Sequence, residues 1–266
     1  MPKLNLKKTN WCLINSMNLN QQLDKFLPID LKQMDRVKLL KRTDTKYLLS
    51  KTTLISLLPE LTKYYFALEI QGKREASYQT VYLDTEKKEY YFQHHQGKPK
   101  RHKVRFRKYL ESDLSFLEVK LKRKGKTDKK RIATDFSFPL KTSHAAFLQK
   151  WIPEKPTDLK QVLQNTFSRI TLVHKTDQER VTIDFNLIFS DTKNKIELKE
   201  PIIIEVKQSG LNRNSYISTL LRANQIRPQR LSKYCIGCIL LDNTLKYNRF
   251  KERLLELKKI QKIWNS

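Results

Sequence analysis

The sequence predicts an α+β protein, in which an antiparallel β-barrel with a charged interior is flanked by α-helices. Two observations support this class. Several segments alternate charged and apolar residues, and other segments repeat apolar residues at helical spacing. A period of two places successive side chains on opposite faces of a strand, whereas a period near 3.6 gives a helix one apolar stripe. The chain therefore contains strands with one ionic face, and helices that can cover their apolar faces.

The clearest strands lie in residues 98–131, which contain fifteen Lys or Arg and four acids. One face of each strand is apolar: Val104 and Phe106 in the first strand, and Leu117, Val119 and Leu121 in the second. The other face is ionic: Arg105, Arg107, Glu118, Lys120 and Lys122. A turn over 111–114 would join the two strands as a hairpin.

Strands with an ionic face recur along the chain, at 42–46, 105–107, 118–120, 180–184 and 205–207. The tripeptide Glu-Val-Lys appears twice, at 118–120 and 205–207, which indicates a weak internal repeat. An open antiparallel sheet with one solvated face would also show this pattern. We favour a closed barrel, because it places the helices outside and the charges inside.

Helices are predicted over 27–40, 52–61, 143–151, 156–163, 212–224, 232–239 and 247–263. Asp30, Thr52 or Thr53, and Ser232 are candidate N-caps for three of them. We expect residues 1–26 to be a poorly ordered N-terminal segment and residues 27–266 to form a single domain.

The composition favours a folded protein with a polyanionic partner. Lys and Arg number 54 against 27 Asp and Glu, which gives a net charge of +27. No apolar run reaches the roughly 18 residues of a membrane span, so we expect no transmembrane segment. The three cysteines and the absence of a signal-peptide core predict a cytoplasmic protein.

Two residue pairs could suggest a metal site of their own. His94 and His95 are adjacent and would face opposite ways in a strand, so joint ligation is disfavoured. Cys235 and Cys238 have zinc-like spacing, but only Cys12 remains to complete a site. We therefore assign the cysteine pair to the core of a helix.

A barrel interior in which bases outnumber acids requires a ligand of opposite charge. A chain of phosphates fits this requirement. Glu118, Asp184 and Glu205 are then candidate ligands for Mg²⁺ or Mn²⁺, since these ions take oxygen donors and bridge phosphate oxygens.

Several motifs resemble the VTC domain, the polyphosphate polymerase domain of the vacuolar transporter chaperone complex and its bacterial relatives, within the triphosphate tunnel metalloenzymes. The resemblance extends roughly from Leu27 to Ile260. It rests on Arg42-Thr-Asp-Thr-Lys46-Tyr, Tyr78-Gln-Thr-Val-Tyr-Leu-Asp84-Thr, His102-Lys-Val-Arg105-Phe-Arg107-Lys-Tyr, Phe116-Leu-Glu118-Val-Lys120, Arg180-Val-Thr-Ile-Asp184, Ile204-Glu205-Val-Lys207 and Leu231-Ser-Lys233-Tyr.

The resemblance implies an antiparallel β-tunnel, a divalent metal, and growth of polyphosphate from the γ-phosphate of ATP. It assigns the catalytic lining to Arg105, Arg107, Lys120, Arg180 and Lys207. It assigns further phosphate binding to Arg42, Lys46, Arg169 and Lys233, with one more contact from Lys129, Lys130 or Arg131. It places the metal on Glu205, with Glu118 as a second candidate.

The expected function is thus a metal-dependent phosphotransferase that acts on ATP and inorganic polyphosphate or triphosphate. Two alternatives stay open: a triphosphate or polyphosphate hydrolase of the same tunnel fold, and a non-catalytic polyanion-binding protein. The tunnel hydrolases open with a Glu-x-Glu-x-Lys strand, whereas this chain has Arg42-Thr-Asp-Thr-Lys46, which favours the polymerase. We expect no nucleic-acid ligand, because Val104 and Phe106 lie opposite Arg105 and Arg107 and cannot stack bases beside them.

Overall fold

A computed structural model describes residues 18–34, 42–123 and 126–262. Its strands are β1 (Leu27–Ile29), β2 (Thr43–Ser50), β3 (Tyr65–Leu68), β4 (Glu75–Thr85), β5 (Arg101–Tyr109), β6 (Ser115–Arg123), β7 (Lys126–Ala133), β8 (Leu159–His174), β9 (Glu179–Ser190), β10 (Lys195–Leu198) and β11 (Pro201–Gln208). Its helices are α1 (Leu19–Leu23), α2 (Leu31–Met34), α3 (Lys51–Leu61), α4 (Glu89–His95), α5 (Thr142–Gln149), α6 (Tyr216–Ala223), α7 (Lys233–Leu241) and α8 (Lys251–Lys262). Short 3₁₀ turns cover Pro156–Asp158 and Asn248–Phe250.

The strands follow the order β2-β11-β9-β8-β4-β5-β6-β7, with β3 also paired to β8, β1 to β3, and β10 to β9. The ladder between β1 and β3 is parallel, and those of β4, β5, β6 and β7 are antiparallel. The predicted α+β class, with a large antiparallel sheet and flanking helices, is confirmed. In the described part of the chain the hydrogen-bonded path is open and runs from β2 to β7.

The chain divides into two compact units. The first comprises Met1–Arg74, Ile170–Ile183 and Ile202–Pro228, and the second Glu75–Arg169, Asp184–Pro201 and Gln229–Ser266. The strands β8 and β9 contribute residues to both units.

In the first unit, α3 supplies the main helical face of the core. Its residues Leu54, Leu57, Leu58 and Leu61 are buried, and Ser50 caps the helix by accepting a hydrogen bond from the Thr53 backbone N–H at 3.1 Å. Thr52 and Thr53 were therefore the wrong choice of cap. On β11, Ile202, Ile204 and Val206 are buried on the parity opposite Glu205 and Lys207, as the alternation predicts.

In the second unit, β5 and β6 form the predicted hairpin. Val104 lies opposite Val119, Phe106 opposite Leu117, and Arg105 opposite Glu118. The four apolar side chains are buried, and burial of each such side chain contributes about 1.5–3 kcal/mol. Their packing holds the ionic parity in place, since a slip of one residue would exchange the two faces.

Close packing brings α7 against the sheet of the second unit. A Cβ atom at Gly237 would lie 2.6 Å from Phe189 Cδ1 and 2.7 Å from Leu163 Cδ2. Cys235 and Cys238 are buried on the same helix, which agrees with their predicted core role. Burial raises the pKa of both thiols.

Several predicted helices differ from the structure. In place of a helix from 27 to 40, β1 precedes the short α2, which Asp30 caps at 2.7 Å; residues 35–40 lie outside the described residues. In place of a helix over 156–163, a 3₁₀ turn leads directly into β8. His94 and His95 lie on α4 and not on a strand.

Other predicted helices are present, but their ends differ from the predicted ones. The predicted segment 212–224 becomes helical only at Tyr216, and a 3₁₀ turn precedes α8. No helix among the described residues is long and apolar enough to cross a membrane.

Candidate functional site

The ionic faces of β5, β6 and β7 meet around Glu118, which is fully buried. Arg105 donates to Glu118 Oε2 from Nε at 2.8 Å and from Nη2 at 2.7 Å, and Lys129 binds Oε1. Burial opposes ionisation of this carboxyl group, but the fields of Arg105, Arg107 and Lys129 hold its pKa well below the usual range. Glu118 therefore stays negative and orients two cations.

Arg107 lies one pair further along the same face, directly opposite Thr80 of β4. Within residues 18–34, 42–123 and 126–262, the Arg107 Nε atom and the Thr80 Oγ1 atom are both buried without a hydrogen-bond partner. Arg107 also forms no ion pair within these residues. Burial lowers the pKa of Arg107, and the nearby cations Arg105 and Arg169 lower it further. A half-buried cation with a buried Nε and no acid beside it carries an electrostatic cost, so this position favours binding of an anion.

Asp184 of β9 holds two further cations. Arg169 donates to it through Nε at 2.5 Å and Nη2 at 2.8 Å, and Lys233 of α7 binds Oδ2. Burial opposes ionisation of Asp184, but Arg169 and Lys233 keep its pKa well below the usual range. A bidentate Arg–carboxylate pair has a defined geometry, so the outer edge of the guanidinium is presented in a fixed orientation.

Aromatic rings support these cations. The Tyr78 and Phe167 rings stack at 5.2 Å between centroids. Arg169 lies 5.0 Å from the Tyr78 centroid, and the Lys233 Nζ lies 4.0 Å from the Phe167 centroid. Such cation–π contacts stabilise a cation without neutralising it.

The N-terminal end of α7 is fixed from both sides. Ser232 caps the helix by accepting from the Cys235 backbone N–H at 3.3 Å, as predicted. Tyr234 donates to buried Asp84, which also accepts from the backbone N–H groups of Tyr90 and Tyr91, each at 2.9 Å. These bonds tie α7 to α4 and β4, and thereby hold Lys233 against Asp184.

The side chains gathered here are termed the Arg107 cluster: Arg105, Arg107, Lys129, Arg169 and Lys233, with Glu118 and Asp184. Five cations surround two acids. Both acids already hold two cations each, so the excess positive charge is built into the folded second unit.

A separate ionic group lies in the first unit. Glu205 of β11 binds the Nζ atoms of Lys46 at 2.5 Å and Lys207 at 2.9 Å. Lys207 is buried and also donates to Thr182 Oγ1 at 2.6 Å. Burial opposes ionisation of Glu205, but Lys207 and Lys46 hold its pKa well below the usual range. We call this group the Glu205 cluster.

The ionic strands lie in a part of the chain that matches a known protein family. The family model described as the VTC domain matches residues 41–242, about three-quarters of the chain. The chain belongs to the VTC domain family. A search of curated protein sequences finds no match.

Solved structures similar to this VTC domain share little sequence with it. A candidate adenylate cyclase from Bacillus halodurans is 15% identical with a TM-score of 0.45, covering 71% of this chain and 92% of its own. A candidate adenylyl cyclase from Hippeastrum, described as having a dominant triphosphatase activity, is 9% identical with a TM-score of 0.45, covering 73% and 95%. A protein from Pyrococcus horikoshii is 10% identical with a TM-score of 0.41, also covering 73% and 95%.

The remaining predicted site residues of the VTC domain lie at different places. Arg42 forms an exposed ion pair with Asp44 at 3.0 Å, and Arg180 is half-buried on β9. Lys120 of β6 lies directly opposite Lys103 on one side and Lys129 on the other.

Lys129, Lys130 and Arg131 are the three candidates for one further phosphate contact. They have different partners in the structure. Lys129 enters the Arg107 cluster through Glu118. Arg131 lies on the same parity and stacks on Phe116 at 4.5 Å. Lys130 lies on the other parity, 4.8 Å from the Trp151 centroid.

Glu118, Asp184 and Glu205 are the candidate metal ligands, and each is surrounded by cationic donors. Among the described residues, no group of three or more His, Cys, Asp or Glu is arranged for a metal ion. Each of Glu118, Asp184 and Glu205 instead binds two cations. Mg²⁺ is commonly bound through one or two carboxylates with substrate phosphates completing its shell. Glu205, whose side chain is 17% exposed, fits this mode better than fully buried Glu118.

Sequence reasoning missed the supporting residues Tyr78, Thr80 and Phe167. Parity would have found them: Tyr78 and Thr80 share the face of Tyr82, and Phe167 shares that of Arg169. The Asp84 network could not be predicted from local sequence, because its partner Tyr234 is 150 positions away.

Lys233 provides a pH test of the Arg107 cluster. Burial lowers its pKa to about 8, although Asp184 acts in the opposite direction. In the free protein Lys233 is thus mostly charged at pH 7 and mostly neutral at pH 9, so anion binding at pH 9 must first restore a proton. We expect tripolyphosphate affinity to fall about tenfold more from pH 7 to pH 9 in the wild type than in Lys233→Arg, since arginine stays charged.

Isothermal titration with tripolyphosphate at both pH values measures this difference, because the ligand's own titration is common to both proteins. Lys160→Arg, at an exposed position of β8, is the control. Equal pH dependence in wild type and Lys233→Arg would contradict the role of Lys233.

Proposed function

We propose that this VTC domain is a metal-dependent polyphosphate polymerase, which transfers the γ-phosphate of ATP to a growing inorganic polyphosphate chain. The observation that supports this proposal is the Arg107 guanidinium, whose buried Nε has no hydrogen-bond partner among the described residues, in a cluster whose two acids already bind other cations. The identity of the substrate follows from the family resemblance. The Arg107 cluster provides fixed positive charge that a phosphate chain can neutralise.

Phosphoryl transfer requires mainly positioning and neutralisation of negative charge, with little covalent chemistry by the protein. In this proposal Arg105, Arg107 and Arg169 bind phosphate oxygens through their guanidinium edges, and Lys129 and Lys233 act as point charges. Since Glu118 and Asp184 already orient four of these cations, little reorganisation accompanies binding. The acceptor phosphate attacks in line, and no side-chain nucleophile is needed.

The further residues assigned by the resemblance belong to the same proposal. Lys120, Arg131 and Arg180 would bind phosphate oxygens, as would Arg42, Lys46 and Lys207. Glu205 would hold Mn²⁺ or Mg²⁺ together with phosphate oxygens of the substrate. When bound, such an ion neutralises charge on the transferring phosphoryl group.

A triphosphate or polyphosphate hydrolase would use the same cluster with water as the acceptor. The opening strand Arg42-Thr-Asp-Thr-Lys46 favours polymerase over hydrolase, as set out above. A non-catalytic polyanion-binding protein would bind the same ligands without consuming ATP.

Incubation of the purified protein with ATP and Mn²⁺, or Mg²⁺, separates these functions. We expect a product that migrates as long polyphosphate on a gel and is degraded by an exopolyphosphatase, together with ADP. Release of free phosphate alone would identify a hydrolase. Neither product would indicate a binding protein and contradict the proposed enzyme.

The metal assignment predicts a specific effect of Glu205→Gln. The amide keeps size and hydrogen bonding but removes the charge that would retain the metal. We expect ATP turnover to fall by at least about a hundredfold, while metal-free tripolyphosphate still binds as in the wild type or more tightly, because one repelling charge is lost.

Turnover assays and calorimetry on the same preparation measure both quantities. The matched control is Glu197→Gln, which removes an exposed carboxylate that pairs with Lys195. Metal-dependent turnover near the wild-type rate in Glu205→Gln would refute the assignment and direct attention to Glu118 or Asp184.

A further inference from the structure

Asp84, a buried carboxylate near the end of β4, accepts two hydrogen bonds on each oxygen atom. Its Oδ1 accepts from the backbone N–H groups of Thr85 at 2.8 Å and Tyr90 at 2.9 Å. Its Oδ2 accepts from the backbone N–H group of Tyr91 at 2.9 Å and from the Tyr234 hydroxyl group. A carboxylate has about four acceptor positions, so the protein itself uses the full capacity of Asp84 and leaves none for a ligand.

The two helices that Asp84 joins begin in different ways. Lys88, with a φ of 54°, precedes α4 and provides no side-chain cap, so Asp84 supplies the acceptors for the first turn of α4. The first turn of α7 already has its own cap in Ser232. A tyrosine hydroxyl that donates cannot satisfy the N–H groups of α7. The bond from Tyr234 to Asp84 therefore fixes the place of α7 against β4 and α4, and does not cap it.

Tyr234 anchors the first turn of α7 beside a cation. Its side chain is buried, and its ring lies 5.1 Å from the Tyr82 ring between centroids. Lys233 directly precedes it in the helix, where consecutive side chains point about 100° apart around the axis. One of these side chains reaches Asp84 and the other reaches Asp184. The anchor and a member of the Arg107 cluster thus share one turn.

The position of the Lys233 ammonium group depends on its backbone, because lysine has a flexible four-carbon stem. The ammonium group binds Asp184 and lies 4.0 Å from the Phe167 centroid. A displaced first turn would let it adopt more positions, and a phosphate ligand would have to restrict them at an entropic cost. An anchored turn avoids this cost before the ligand binds.

We propose that Asp84 and Tyr234 are positioning residues for phosphate binding, whose hydrogen bond fixes the first turn of α7 and thereby Lys233. Neither residue touches the ligand. This inference rests on the proposed function for the identity of the ligand. It assigns an effect on affinity to a carboxylate outside the Arg107 cluster.

Tyr234→Phe tests this role, since it removes the hydrogen bond and keeps the packed ring. Asp84→Asn is less suitable, because its amide group would direct N–H donors at the backbone N–H groups of α4. The matched control is Tyr91→Phe, which removes the hydroxyl group of another buried tyrosine, one that donates to the Lys246 carbonyl at 2.9 Å. Each change is made in the wild type and in Lys233→Ala, which gives a double-mutant cycle.

Calorimetry of the full chain with tripolyphosphate measures the affinity of each protein. We expect Tyr234→Phe to weaken binding about fivefold when Lys233 is present, and less than about twofold in Lys233→Ala. Tyr91→Phe should change the affinity less than about twofold in both backgrounds, although it also removes a buried hydrogen bond.

Wild-type affinity in Tyr234→Phe would overturn the proposal, as would equal losses in the two backgrounds or equal losses in Tyr234→Phe and Tyr91→Phe. Equal losses would assign the bond to general stability. The product formed from ATP tests the proposed function separately: the expected coupling without polyphosphate synthesis would support positioning and refute the polymerase. If the wild type does not bind tripolyphosphate, both fail.

Discussion

The ionic arrangement of the second unit depends on one constraint: Arg107 is held at a half-buried position, with its Nε atom buried, and no acid among the described residues forms an ion pair with it. Burial of a charge is unfavourable unless a counter-charge or hydrogen bonds compensate for it. Here Glu118 and Asp184 each pair with two other cations, and among the described residues Arg107 has a cation–π contact with Tyr78 and a longer-range attraction to Glu118. The folded unit thus retains an electrostatic cost that a bound anion would remove.

Apolar packing elsewhere offsets that cost. Val104 and Phe106 are buried on the reverse of the strand that carries Arg105 and Arg107. Gly237 allows α7 to approach β8 and β9, and Asp84 fixes its first turn through Tyr234. The cations are therefore positioned by rigid elements, as a preorganised anion site requires.

Much of this arrangement could be predicted from sequence because strand parity is local. Alternation identified the ionic faces of β5, β6, β9 and β11, and the apolar residues opposite them. The alternation of residues along a strand does not show which acid pairs with which base. Glu118 binds Arg105 and Lys129, and Glu205 binds Lys46 from a strand 159 positions away. The three-dimensional structure was therefore needed to show that no described acid pairs with Arg107.

The wrong predictions have a common cause. Short apolar segments fit both periods, so 156–163 was assigned to a helix although β8 begins at Leu159. The expectation of a strand at His94 and His95 was wrong, because Asp84 accepts hydrogen bonds from the backbone N–H groups of Tyr90 and Tyr91 and so stabilises the N-terminal end of a helix there. Long-range hydrogen bonds decided the outcome over local propensity.

The measurement that tests the central claim most directly is thermal unfolding of Arg107→Met with and without tripolyphosphate. Without ligand, the variant should unfold at the wild-type temperature or higher, because a partly buried charge without an acidic partner is gone. Ligand at a hundredfold excess over its Kd should raise the wild-type midpoint by about 5 °C or more and leave the variant nearly unchanged. Lys160→Met, which removes an exposed cation, should keep the wild-type response. A variant that is less stable than the wild type yet retains the full ligand-induced rise would contradict the account.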